Sequence, residues 1–438
     1  MKAGKRPLLF YGWIVVVFCF LIVLLVYGVR FTFPAFYVAI LEEFGQSRGG
    51  TAGPYSLNLL VYGLGAAAVG MLVDRIGPRK VVVIGALLIG LGLVGVSQSN
   101  ALWLLYPFFG VIVALGNCMA GNAAFIPMLS NWFVKRRGLA IGIYFAGVAG
   151  APVVAPLAQQ LIDAFKWRGA YLVLAVLAVA FIVPVAVFVL RAKPAEKGQL
   201  PDGASSVAEP AATGQRSAPM VNSEWSAVRW DVPKALHTRQ FWALFFVNLF
   251  LGMEVNLVFL HQMAHAVDVG YSKMFAASVF GLVGFGVIAG SYAGSICDRI
   301  GRELTFTVGV LGSLLGILML TLTGDASQPW MLYSYAVIFG MSFGMCNPAL
   351  MASQADLFFG RRFGSINGLL ITGFGIGGAV GPYLGGLLFD LTGAYTWSFT
   401  VAMAAIAIAG ISMWVAAPRK IRPVWGARGA GRLEPVKK

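Results

Sequence analysis

The chain has 438 residues, 59% of them hydrophobic and only 11% charged. A soluble domain carries about 25% charged residues, so this composition excludes an ordinary soluble protein and points to a chain that crosses the membrane many times. The formal net charge of +15 raises the question of nucleic acid, but the placement of the basic residues excludes it, as the order of the spans makes plain.

The N-terminus "MKAGKRPLLFYGW" is basic and runs into an apolar segment too long for a signal peptide, so it reads as a retained first span. Apolar stretches long enough to cross recur twelve times: near 10–40, 51–73, 81–98, 102–132, 138–162, 169–190, 240–266, 274–297, 304–323, 330–357, 364–388 and 395–417. Between the sixth and seventh lies a Pro-, Ala-, Ser- and Gly-rich stretch that reads as a flexible linker. The expected organisation is a six-helix bundle over 1–191, a cytoplasmic linker over 192–239, a second bundle over 240–418 and a cytoplasmic tail over 419–438.

With both termini inside the cell, the outer loops hold Arg48, Lys166, Arg168 and Lys273, and Arg30 lies within a span, which leaves 27 of the 32 basic residues inside. That asymmetry sets the orientation and accounts for the net charge as topological anchoring. Cys19, Cys118, Cys297 and Cys346 are scattered through apolar sequence, with no metal or disulfide spacing.

The two halves repeat. "GMLVDRIGPRK" after span two matches "GSICDRIGREL" after span eight, with Gly70, Asp74, Arg75 and Gly77 each 224 residues before Gly294, Asp298, Arg299 and Gly301. Gly142, Gly147 and Pro156 stand 226 before Gly368, Gly373 and Pro382. Parallel repeats of this kind are one of the plans on which transporters are built.

The turn Gly70, Asp74, Arg75, Gly77, Arg79 and Lys80, with its weaker copy after span eight and twelve spans around a central loop, resembles the signature of the major facilitator superfamily. The narrower resemblance is to the monocarboxylate-porter and oxalate/formate-antiporter branch. It is carried by "WFVKRRGLAIGIYFAGVAG" (132–150), "YGVRFTFPAFYVAILEEFGQSR" (27–48) and "FLHQMAHAVDVGYS" (259–272). The resemblance implies an all-α fold of two pseudo-symmetric six-helix bundles. It also implies transport by alternating access, with Asp74, Arg75, Asp298 and Arg299 making charge contacts that hold a cytoplasmic gate. The branch usually grips its carboxylate with an arginine in span eight, and its oxalate exchangers add a lysine in span eleven; here both spans lack a cation.

Charges deep in a span cost about 2.5–3.5 kcal/mol each on insertion scales, so those present are candidates for function. Two qualify: Arg30 in "YGVRFTFPAF" and Glu254 in span seven. Aligning the span ends at Gly45 and Gly270 gives an offset of 225, which maps Arg30 onto Val255, next to Glu254. The two are therefore expected to face each other across a central cavity, pairing directly or through substrate and water; the alternative is a permanent ion pair that locks the halves. Arg30 offers a carboxylate a two-pronged fork. Glu254 is the candidate proton carrier, released when substrate engages Arg30. Pro34 removes the helix bond to the Arg30 carbonyl.

His261 and His265, one turn apart in span seven, could carry protons; His261 is also placed in the cavity, while two ligands without a third do not make a metal site. Asn117, Tyr62, Tyr144 and Asn347 join Arg30 and His261 as candidate substrate residues, with Asn58, Asn122 and Asn367 as further hydrogen-bonders; each has an alternative role in helix–helix packing. No nucleophile–base set, metal cluster or sizeable soluble domain suggests an enzyme. The expectation is proton-coupled symport of a small monocarboxylate or related organic anion, in a bacterial inner membrane. It requires no cofactor beyond the proton gradient, no nucleic acid and no obligate protein partner. The alternative is proton-driven efflux of an amphipathic or cationic compound.

Overall fold

The computed structural model describes residues 10–203, 225, 229–294, 296–358, 360 and 362–420. The basic first residues, most of the linker, Arg361 in the second copy of the repeat and the tail beyond Lys420 lie outside them.

Helices dominate, because hydrocarbon offers no partner to a backbone N–H or C=O and a helix satisfies both internally. Ten described helices are long and apolar enough to cross a membrane, and Arg48–Ile76 forms an eleventh, bent by 52°. The twelfth is concealed in the long segment Ala151–Val189, where Lys166 adopts φ 59° and ψ 167° and reverses the chain. Trp167, directly after the reversal, donates to Glu43, while Val189 at the end of the segment accepts from the Tyr11 hydroxyl (2.8 Å). Span five therefore runs from Arg137–Ala149 through 151–165, and span six from 167 to 189.

The remaining crossings are Tyr11–Phe44, Pro78–Ser97, Leu102–Trp132, Arg239–Asp268, Lys273–Gly294, Arg302–Leu322, Pro329–Leu357, Phe363–Thr392 and Thr396–Lys420. The chain is an integral membrane protein of the all-α, two-times-six plan. The face bearing residues 10–11, the Asp74–Arg75 turn and Ala416 is called here the terminal face, and its opposite the far face.

Small residues bring the helices together, as expected where lipid tails provide no hydrophobic contrast. A Cβ on Gly286 in span eight would stand 3.0 Å from the Gly340 Cα in span ten. The repeated turns have one geometry: Gly77 (φ 84°) and Gly301 (φ 103°) occupy backbone that side chains disfavour, and each leads directly into the next helix.

Spans one and four are interrupted within the N-terminal half. Span one breaks at Thr32, directly after Arg30 and Phe31, and resumes at Phe33 with Pro34 in its first turn. Span four breaks at Ala120–Gly121 and restarts at Asn122. The described parts of the linker region are docked. Asp202 accepts from the backbone N–H groups of Val134 (2.9 Å), Lys135 (2.7 Å) and Arg136 (3.3 Å), and Trp225 donates to the Leu357 carbonyl (2.8 Å).

Candidate substrate site

Arg30 is buried, with 5% of its surface exposed. Its guanidinium carbon stands 4.6 Å from the Tyr62 ring centroid and 5.8 Å from that of Phe31, an arrangement in which ring faces offset part of the cost of a desolvated cation. Tyr55 and Cys118 complete its electrostatic surroundings. The Tyr27 and Tyr62 hydroxyls share a 2.6 Å hydrogen bond, and Tyr144 donates to Asn122 Oδ1 (2.7 Å), where span four restarts. The broken helices of spans one and four thus meet the same cluster: a Cβ on Gly121 would lie 3.7 Å from the Tyr27 hydroxyl. Among the described residues no carboxylate forms a salt bridge with Arg30, and its Nε has no hydrogen-bond partner.

Glu254 is fully buried, and among the described residues neither carboxylate oxygen has a partner at hydrogen-bonding geometry. Its polar neighbours are Ser313 in span nine and Tyr335 and Cys346 in span ten, all in its own half. The expected face-to-face pair with Arg30 is therefore corrected. Phe259, five residues on, reaches the N-terminal half by packing on Phe31 at 5.7 Å, and His261 packs on Tyr37 at 5.6 Å. Glu254 lies about 140° around the helix from Phe259, and its neighbours from spans nine and ten place it on the side of its own bundle. The repeat offset places the two charges one residue apart in alignment, but it does not give the angular phase.

His261 also sits away from the Arg30 cluster. It is fully buried on the far face, its Nε2 2.8 Å from the Pro382 carbonyl oxygen and its Nδ1 3.2 Å from the Tyr395 hydroxyl. His265 is bonded to the Leu320 carbonyl (3.0 Å). Asn117 lies buried with both amide atoms unpartnered, whereas Asn58 donates to the Phe109 carbonyl (2.7 Å) and so ties span two to span four. Asn347 donates back to its own helix at the Phe343 carbonyl (3.4 Å), and Asn367 Oδ1 has no partner among the described residues. Tyr62, Tyr144 and Asn122 are thus gathered near Arg30, Asn347 stands one turn from Phe343, and His261 and Glu254 have their polar neighbours in the C-terminal half.

The far face carries a network that sequence reasoning passed over. Arg48 grips Asp268 with both prongs (2.6 and 2.8 Å), donates to Tyr395 (2.6 Å) and lies 3.7 Å over the Phe389 ring. The backbone N–H groups of Arg48 and Gly49, at the start of span two, donate to the two oxygens of Asp390 (2.8 Å each) at the end of span eleven. Lys273 pairs with Glu42 (2.5 Å). The signal was available: the same offset of 225 relates Arg48 to Lys273 and Glu43 to Asp268. Each half thus lends a cation to an acidic residue of the other.

On the terminal face Asp74, Arg75, Asp298 and Arg299 are exposed. Asp298 pairs with Arg302 in its own half (2.7 Å), and among the described residues none of the four makes the expected contact between halves.

This geometry can be set beside known proteins. The family model described as Major Facilitator Superfamily matches residues 18–358 and 287–437. The chain belongs to the major facilitator superfamily. It is a transporter, not an enzyme. Monocarboxylate transporter 13 of Rattus norvegicus is 27% identical over 420 residues, covering 93% of this chain and 89% of that protein. Monocarboxylate transporter 2 of Homo sapiens is 29% identical over 433 residues, covering 92% and 84%. Among solved structures, a bacterial homolog to the human lysosomal transporter Spinster, in an inward-facing and occupied conformation, shares the fold with a TM-score of 0.69 at 14% identity, covering 94% of this chain and 97% of that one.

Proposed function

We propose that this superfamily member moves monocarboxylates across the membrane by alternating access, and that Arg30 is the carboxylate anchor. The observation that carries the proposal is a buried guanidinium, with no carboxylate partner among the described residues, set over the Tyr62 ring where two spans break. An arginine in low dielectric without a counter-ion is an incomplete electrostatic site, and a monoanion completes it. The start of the half-helix Asn122–Trp132 adds a dipole end that favours negative charge. A cationic substrate would meet like charge here, so the efflux reading has no support at this site. The similarity to monocarboxylate transporters supports the same substrate class.

In this reading the transported anion travels with a proton carried by Glu254. A carboxylate buried without partners is costly, and protonation removes that cost. The far-face network holds the carrier closed on that side, and the terminal face opens to the cytoplasm in a bacterial inner membrane, with both termini inside. The Asp74–Arg75 turn and its copy would engage in the opposite state. The carrier would need no cofactor beyond the proton gradient and no obligate protein partner.

The test is uptake of a labelled monocarboxylate into proteoliposomes. Arg30→Ala should abolish uptake, and Arg30→Lys should retain a few per cent, because lysine keeps the charge and loses the fork. Near-normal uptake by both variants would remove Arg30 from the site.

A further inference from the structure

The cluster around Arg30 has an apolar counterpart across the interface. Phe259 packs on Phe31 at 5.7 Å, on Phe280 at 5.2 Å, on Phe343 at 5.9 Å and on Phe339 at 6.2 Å. Five phenylalanines from spans one, seven, eight and ten thus converge beside a single cation. Phe31 belongs to both neighbourhoods, since its ring is 5.8 Å from the Arg30 guanidinium carbon. From the charged end to the middle of the aromatic group is therefore two ring-sized steps. Phe31, Tyr62 and Phe343 keep partial exposure, unlike most of the core around them. Apart from Lys273 at the far-face start of span eight, which is paired with Glu42, spans eight and ten contain no lysine or arginine, so the aromatic wall offers no cation to a second negative charge.

From this juxtaposition we infer the substrate class of the site: a monoanionic carboxylate with an aromatic or similarly bulky apolar body, carboxylate on Arg30 and body among the phenylalanines. The inference rests on the reading of Arg30 as the carboxylate anchor and narrows it. A ligand pocket of this kind draws affinity from its apolar lining and orientation from a few polar groups. Aromatic rings meeting edge to face add to that affinity. A small hydroxy acid reaches the cation but leaves the aromatic wall unused. A dicarboxylate places its second charge against phenyl rings, where it goes unpaired.

The experiment is calorimetric titration of the purified full-length protein with phenylacetate, lactate and malonate. Phenylacetate should bind about tenfold or more tighter than lactate, equivalent to about 1.4 kcal/mol, and malonate should give no measurable heat. Phe259→Ala should shrink that ratio to about threefold or less while changing lactate affinity by no more than about twofold. Phe259→Leu, which keeps volume and loses the ring, serves if the alanine variant does not fold, and should shift the ratio in the same direction. Equal affinity for phenylacetate and lactate in the unaltered protein overturns the inference and leaves the monocarboxylate reading standing. A ratio unchanged in both variants also overturns it. Failure of all three acids to bind overturns both readings together.

Discussion

Arg30 and Glu254 are both buried within spans and stand one residue apart in the alignment of the two repeats, yet their surroundings differ in kind. Arg30 stands over aromatic faces among Tyr27, Tyr55 and Tyr62, beside two broken spans and a rim that keeps partial exposure. Glu254 is fully enclosed in its own bundle beside Ser313, Tyr335 and Cys346, and its oxygens are unpartnered. A charge beside an opening suits a ligand that arrives and leaves. A charge sealed among packed helices suits a small occupant such as a proton. Sequence equivalence within a repeat is therefore no guide to shared role when the residues differ in helical phase.

The comparison can be broken most severely at Glu254. Glu254→Gln should abolish uphill accumulation driven by a proton gradient while anion exchange across the same vesicles continues, as read by counterflow. Loss of both together would place Glu254 in the substrate site and erase the distinction. The next effect belongs to the far-face network, which ties the two halves together on that side. Asp390→Asn removes the charge from an acceptor of two backbone N–H groups, and hydrogen bonds to charged groups contribute about 1.5–3 kcal/mol each. Amide exchange over residues 41–51 should then accelerate about tenfold or more. Unchanged exchange would mean that this contact does not hold the face closed.

A smaller effect sharpens the Arg30 side. Tyr62→Phe keeps the ring beneath the guanidinium and deletes the 2.6 Å hydroxyl contact with Tyr27. A loss of about 1 kcal/mol, or about fivefold in substrate affinity, is expected from one hydrogen bond. The smallest effect is at Lys273–Glu42, a half-exposed pair. Either single reversal, Lys273→Glu or Glu42→Lys, should cost at most about 1 kcal/mol, visible as a shift of a few degrees in melting temperature, and the double reversal should restore it.

Much of this molecule was legible in its sequence. Apolar run lengths gave all twelve crossings, including the one hidden in Ala151–Val189, because the minimum length of a span is fixed by the bilayer. The paired turns at Gly77 and Gly301 matched in conformation because their sequences demand the same backbone. The site was legible in part. Arg30 and Tyr62 stand together, and Tyr144 joins them through Asn122, because spans one, two, four and five pack within one bundle. The direction of Glu254 was not legible, since a helix hydrophobic all round does not mark which face meets its partner. His261 was misplaced for the same reason: its depth was evident, whereas its ties to Pro382 and Tyr395 depend on how spans eleven and twelve fold back. The Arg48 network was overlooked because basic residues in outer loops were counted for topology instead of being matched with acids in the opposite repeat.

The central claim is that the carboxylate resides at Arg30 and not at Glu254. Calorimetric binding of one aromatic monocarboxylate to the unaltered protein, to Arg30→Ala and to Glu254→Gln at a single pH tests it most directly. The account predicts that binding disappears in Arg30→Ala and persists in Glu254→Gln. Near-normal binding by Arg30→Ala, with the loss falling on Glu254→Gln instead, would contradict it.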